Sequence, residues 1–306
     1  MNICIYMVKT VFFLVIIFNF TELNERIMNR TKITQLLFLF FVISTSLIAQ
    51  RKTYLSQAVN LAGKQRMLGQ RMAKDKMFMK AGVKDEFAEN EMLKAIEAFK
   101  YGLGYLKEFA PTQEVKHKID IQEFAFKCYL EMIESNSRSS MKEVIESNTI
   151  FLAICDDVVT SLIQYAKIKN AENTDKNESY VIENIAKATG ASGKLRYLTQ
   201  RLTLYYCLDR FKMKKVTPKE VDEIVRTMER NLNYLTVLEF NTLQIDDSLS
   251  EVLYYWNEMK SKIYNKNGEV DMKSKKINPE EMFELCNNVL NKANTTTKMY
   301  ADLNKS

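Results

Sequence analysis

Residues 63–71 read Gly-Lys-Gln-Arg-Met-Leu-Gly-Gln-Arg, and residues 193–201 read Gly-Lys-Leu-Arg-Tyr-Leu-Thr-Gln-Arg. Six of nine positions agree at an offset of 130: Gly63/Gly193, Lys64/Lys194, Arg66/Arg196, Leu68/Leu198, Gln70/Gln200 and Arg71/Arg201. A charged nonapeptide that recurs in this way marks an internal duplication, and a duplication sets the architecture before any element is assigned. The rhyme continues outside the motif. Leu103-Gly104-Tyr105-Leu106 matches Leu232-Asn233-Tyr234-Leu235 at an offset of 129.

Outward from the motif the chain is poor in turn chemistry. Three prolines and eight glycines in 306 residues predict long helices. The prolines punctuate those helices. Thr217-Pro218-Lys219-Glu220 has the cap, first-turn proline and third-position acid of a capping box, Asn278-Pro279-Glu280-Glu281 repeats that logic, and Ala110-Pro111 separates two periodic stretches. Four of the glycines, Gly63, Gly69, Gly190 and Gly193, sit in or beside the motif. Apolar residues recur at helical spacing, as in Met92, Ile96, Phe99, Leu103 and Leu106, or Ile119, Phe126, Leu130 and Ile133. The predicted helices run over 53–81, 85–109, 112–135 and 141–169, then 180–214, 218–243, 248–265 and 279–303. The polar stretch 170–179 is the predicted boundary. The expectation is an all-α fold of two tandem antiparallel four-helix bundle modules, 50–173 and 174–306, behind an N-terminal segment over 1–49.

That segment reads as an export signal. Arg30 and Lys32 precede the apolar run Leu36–Ile43, and small residues lead to Ala49, a plausible cleavage point. Leu47 is an imperfect residue three places before the cut, so an uncleaved inner-membrane anchor stays open. The earlier run 11–18 is too short to span a bilayer as a helix. Met28 is the expected start of translation, with 1–27 an over-extension. No later stretch is expected to span a membrane. Removal of 1–49 lowers the formal charge from +6 to +4, too mild for a nucleic-acid binder, and no basic stripe with interleaved aromatics is present. The expected location is the periplasm. There disulfides are permitted, yet Cys128 and Cys155 fall out of register across a helical hairpin, so Cys128, Cys155, Cys207 and Cys286 are expected as free, buried thiols.

On a helix, Gly63, Arg66 and Gln70 share one face, while Lys64, Leu68 and Arg71 share another. A mid-helix glycine costs about 1 kcal/mol unless it serves packing, so the glycine face is the one expected to meet another helix. If the two motif helices pack about a pseudo-two-fold axis, Arg66 and Arg196 converge. Facing guanidinium groups repel and are costly to desolvate, and a small planar oxyanion between them removes that penalty. Gln70 and Gln200 could add donors. The competing reading pairs the arginines with carboxylates, for which Asp156, Asp157 and Glu183 are at hand.

The stretch Asn60-Leu61-Ala62-Gly63-Lys64-Gln65-Arg66-Met67-Leu68-Gly69-Gln70-Arg71-Met72-Ala73-Lys74 resembles the signature of the type IV pilus methyl-accepting chemotaxis transducer N-terminal domain. That family is related to the periplasmic domains of nitrate/nitrite sensor kinases. Its motif has Asn, Ala-Gly, Arg-Met-Leu and Ser-Gln-Arg. The first copy departs in Gly69; the second departs more, with Ala191-Ser192 before Gly193 and with Leu195, Tyr197 and Thr199. The resemblance implies four-helix bundles over about 53–303. It also implies that Arg66, and by repetition Arg196, would contact a nitrate-like anion, so that one chain forms an intrachain pseudo-dimer.

His117 is the only histidine, which excludes histidine triads and multi-histidine metal sites, and its Lys116-His117-Lys118 setting predicts a solvated side chain. Asp156-Asp157 and Asp246-Asp247 diverge on a helix and make poor metal sites. Met67, Met72, Met77 and Met79 read as core, and Tyr254-Tyr255-Trp256 as core or bundle-end packing. No phosphate loop or dinucleotide fingerprint appears. The expectation is a non-enzymatic sensor that needs no cofactor. Its predicted site is Arg66, Arg196, Gly63, Gly193, Gln70 and Gln200, and it would act through a separate membrane signalling protein. The alternative is an envelope scaffold in which the motif helices only cement the bundles.

Overall fold

The computed structural model describes the backbone of residues 30–135, 138–172, 176–272 and 277–303, with side chains over 55–135, 141–169, 183–272 and 277–303. The run 11–18 and Met28 lie outside the described residues, as do the side chains of the apolar run 36–43. Among the described residues eight helices follow one another: α1 (Arg30–Lys80), α2 (Asp85–Phe109), α3 (Gln113–Glu134), α4 (Arg138–Glu172), α5 (Lys176–Arg210), α6 (Pro218–Thr236), α7 (Leu243–Ile263) and α8 (Pro279–Asp302). The described residues contain no strand, only an isolated antiparallel bridge between Tyr264 and Val270. The fold is an all-α helical bundle.

The boundaries follow capping chemistry. The Thr217 hydroxyl accepts from Glu220 N while the Glu220 carboxylate accepts from Thr217 N, which completes the capping box that the sequence predicts. Asn278 caps α8 by accepting from Glu280 N at 3.0 Å. Two boundaries differ from expectation. α6 stops at Thr236, not 243, and α7 begins at Leu243, because Thr242 caps it by accepting from Ile245 N. The expected linker 170–179 is mostly helix, since α4 continues to Glu172 and α5 resumes at Lys176. Its polar residues lack a glycine or proline that would break a solvated helix.

The described residues from 51 onward form one compact unit. Within 51–306, α5 packs against α4, α6 and α8, α3 against α2 and α4, and α7 against α6 and α8. One apolar core joins α1 side chains such as Met72, Met77 and Phe78 to Leu202 and Tyr206 of α5, Trp256 of α7 and Phe283 of α8. A second gathers Leu55, Val59, Leu106, Ile119, Val159 and Leu162. Each large apolar side chain so buried contributes about 1.5–3 kcal/mol. Met67, Met72 and Met77 are core, as the sequence predicts. Of the aromatic trio only Trp256 is buried, whereas Tyr254 faces solvent. One further stretch, Met141–Lys169 of α4, is long and apolar enough to cross a membrane by length and composition, contrary to expectation. In the fold it lays Val144, Phe151, Cys155, Val158 and Leu162 into the two cores.

Candidate functional site

α1 and α5 cross where the two motifs meet. A Cβ built on Gly63 would lie 3.9 Å from the Gly193 Cα, and one built on Gly193 would lie 3.8 Å from the Gly63 Cα. The absent side chains let the backbones touch. Arg66 and Arg196 are carried into this crossing and buried, at 1% and 3% exposure. Their Nη2 atoms approach the same spot, 3.4 Å and 3.1 Å from the position a Gly63 Cβ would take.

The contacts are reciprocal. Arg66 Nη2 donates to the Gly190 carbonyl at 3.1 Å, and Arg196 Nη2 donates to the Asn60 carbonyl at 3.1 Å. Each arginine thus reaches the carbonyl six residues before the other, and Asn60 and Gly190 are themselves 130 apart. The other contacts are unequal. Arg66 Nη1 pairs with Asp156 of α4. Arg196 Nη1 instead donates to two neutral amides, Asn60 Oδ1 at 3.1 Å and Asn294 Oδ1 of α8 at 3.5 Å. The Arg66 guanidinium also lies 5.2 Å from the centre of the Tyr197 ring, at the repeat position that Met67 fills in the first copy.

The field at the crossing is therefore positive. Two guanidinium groups meet one carboxylate, and Lys64 stands close by, its ammonium pushed below the usual range by burial and then by Arg196 and Arg71. Burial, and then the charge of Arg66, pushes Arg196 down to about 9. The Nε donors of Arg66 and Arg196 are buried without a hydrogen-bond partner. Buried donors left unpaired cost about 1–3 kcal/mol each. The set of spare donors and unbalanced charge suits an oxyanion. A cleft of about 340 Å³ between α4, α5 and α6 leads to Arg66, with Asp156, Thr160, Lys187, Gly190, Lys194 and Tyr234 in its walls.

Of the residues the sequence singles out, Gly63, Gly193, Arg66 and Arg196 are brought together. Gln70 and Gln200 are fully buried but hydrogen-bond neither guanidinium. Gln200 Nε2 donates to Cys286 Sγ at 3.2 Å, and the polar atoms of Gln70 have no hydrogen-bond partner. The carboxylate reading holds for one arginine and not for its mate. His117 is exposed. Among the described residues Cys128, Cys155, Cys207 and Cys286 are free thiols; the last three are buried and Cys128 only partly so. Burial pushes the Cys155 thiol up to about 12, which makes it inert.

Sequence reasoning missed a second polar cluster on α1. Lys74 and Asp75, both without exposure, pair at 2.9 Å, and Lys74 reaches Glu91 of α2 at 3.5 Å and lies over the Phe283 ring. The available signal is the charged run Lys74-Asp75-Lys76, set between Met72 and Met77 on the motif helix.

No curated protein and no solved structure matches the chain. One family model does, over residues 47–146, a stretch that holds the first motif copy and not the second. The matching model is that of the type IV pili methyl-accepting chemotaxis transducer N-terminal domain, and the match points to a module of sensory signalling.

Proposed function

We propose that the chain is an extracytoplasmic sensor that holds one small planar oxyanion, of the nitrate type, between Arg66 and Arg196 and acts through a separate membrane signalling protein. One observation carries this reading: two buried guanidinium groups converge on a glycine crossing where a carboxylate pairs with Arg66 alone and both Nε donors are unpaired. A fold has no use for that arrangement on its own, because desolvating two like charges is costly. An anion supplies the missing charge and the missing acceptors together. Export through the N-terminal segment, the repetition of the domain in residues 174–306 and the partner belong to the same proposal.

The test is a thermal-shift screen against nitrate, nitrite, sulfate, phosphate and small carboxylates, with chloride holding ionic strength. Ligand at one hundred times its dissociation constant adds about 2.7 kcal/mol. A selective shift, lost in both Arg66→Ala and Arg196→Ala, is expected. A second reading, the envelope scaffold, draws on the Arg66–Asp156 pair and the reciprocal carbonyl bonds, which tie α1 to α4 and α5. It requires Arg66→Ala to unfold the bundle with no anion response in either protein.

A further inference from the structure

The two halves of the crossing differ in a way that bears on how an anion enters. We infer that Asp156 is an internal competitor for the ligand: its carboxylate occupies the place on Arg66 that an incoming oxyanion takes, and it sets the affinity of the site. The inference rests on the anion-binding reading above.

Three observations support it. The first is the asymmetry itself. Asp156 of α4 faces Arg66, whereas the neutral Asn294 of α8 faces Arg196. A carboxylate needed only to hold the motif helices would be wanted equally on both sides. The second is exposure. The Asp156 side chain is 43% exposed while Arg66 is 1% exposed, so the carboxylate reaches inward from solvent to a buried cation. A half-exposed carboxylate is released to water at little cost, unlike a buried one.

The third is position. Asp156 lies in the wall of the cleft that leads to Arg66. Lys194 also lines the cleft, so a carboxylate leaving Arg66 meets another cation there. Arg66 and Asp156 both line this cleft, so an oxyanion that arrives by it meets the ion pair. It then exchanges with Asp156 on Arg66 and gains Arg196, which has only amides and a carbonyl as acceptors. The exchange is one carboxylate for one oxyanion on the same donors, which favours a small monovalent anion of matching planar geometry.

The experiment is isothermal titration of sodium nitrate into the full-length protein, Asp156→Asn and Asn294→Asp, at fixed ionic strength with chloride. Asp156→Asn removes the competitor and should lower Kd roughly two- to fivefold, the strength of a partly exposed ion pair. Asn294→Asp installs a second competitor, on Arg196, and should raise Kd by a similar factor while leaving the fold intact by circular dichroism. Binding by Asp156→Asn alone would also support the inference. Nitrate that binds the parent protein as tightly as Asp156→Asn, or more tightly, overturns the competitor role and leaves the anion site standing. Failure of nitrate to bind either protein overturns both.

Discussion

Gly63 and Gly193 are packed Cα to backbone at the crossing of α1 and α5, and the room that their missing side chains leave is filled by the Arg196 and Arg66 guanidinium groups, each 3.1 Å from the Cβ that the other repeat's glycine lacks. Gly63→Ala therefore meets two opposed effects. Helix propensity gains up to about 1 kcal/mol, while Arg196 Nη2 must retreat by a few tenths of an ångström from its bond to Asn60. The expected net change in stability is within about 1 kcal/mol, with the anion response weakened. Gly63→Val adds three carbons against the Gly193 backbone and should destabilise by about 1–3 kcal/mol. Urea denaturation of the pair checks this. A Val variant as stable as the parent would mean that the helices do not cross here.

Gly69 and Gly104 separate packing from propensity. A Cβ on Gly69 would sit 2.8 Å from Phe151 Cε1, and that ring is stacked on Tyr129 with centroids 4.4 Å apart. The ring has nowhere to go, so Gly69→Ala should cost about 1–3 kcal/mol despite its better helix propensity. A Cβ on Gly104, in the C-terminal part of α2, meets nothing within 4 Å. Gly104→Ala should stabilise by up to about 1 kcal/mol. Opposite signs in chemical denaturation are the expected result; equal signs would place Phe151 elsewhere.

Arg196 is the cleanest test of a residue kept for binding. It is buried, its charge is disfavoured by burial and by Arg66, and no carboxylate balances it. Arg196→Met keeps most of the volume and removes the charge. Replacing a poorly compensated buried cation by an apolar chain is often neutral or stabilising. The midpoint of thermal unfolding should hold or rise in Arg196→Met while the nitrate-induced shift disappears. A strongly destabilised Arg196→Met would assign the arginine to the scaffold.

The crossing was legible because the repeat speaks twice. Gly63 with Arg66, and Gly193 with Arg196, each mark one face, and the same face in both copies implies that they meet. The partner of Arg66 was not legible to that depth. Asp156, Asp157 and Glu183 are all within sequence reach, and the choice depends on the register of α4 against α1, which no local pattern encodes. Backbone acceptors such as the Asn60 and Gly190 carbonyls leave no mark on composition, although their offset of 130 could have named them. Gln70 and Gln200 lie one turn beyond Arg66 and Arg196 on the same faces, yet neither amide hydrogen-bonds a guanidinium. The boundary of α6 was overrun because apolar spacing continues through Val237, Leu238 and Phe240, and only Thr242 signals the new helix.

The Lys74–Asp75 dyad predicts a pH dependence. Asp75 is fully buried, and its carboxyl is pushed up to about 6, chiefly by burial, with Lys74 and Arg71 opposing and Glu91 adding to the rise. An acid whose pKa is higher folded than unfolded binds its proton more tightly in the native state. Its contribution is therefore largest below about pH 4, near the unfolded value, and is lost as pH rises through about 6. The loss is at most about 3 kcal/mol. Asp75→Asn cannot ionise, so the stability of Asp75→Asn minus that of the parent should grow as pH rises from about 4 to about 6 and then level off. The difference isolates this group, because the acids whose pKa is lowered by partners, such as Asp120, Glu123 and Glu220, are the same in both proteins. Urea midpoints across that window supply the measurement. A difference that stays flat, or that shrinks with rising pH, would show that Asp75 is ionised in the fold and held by Lys74.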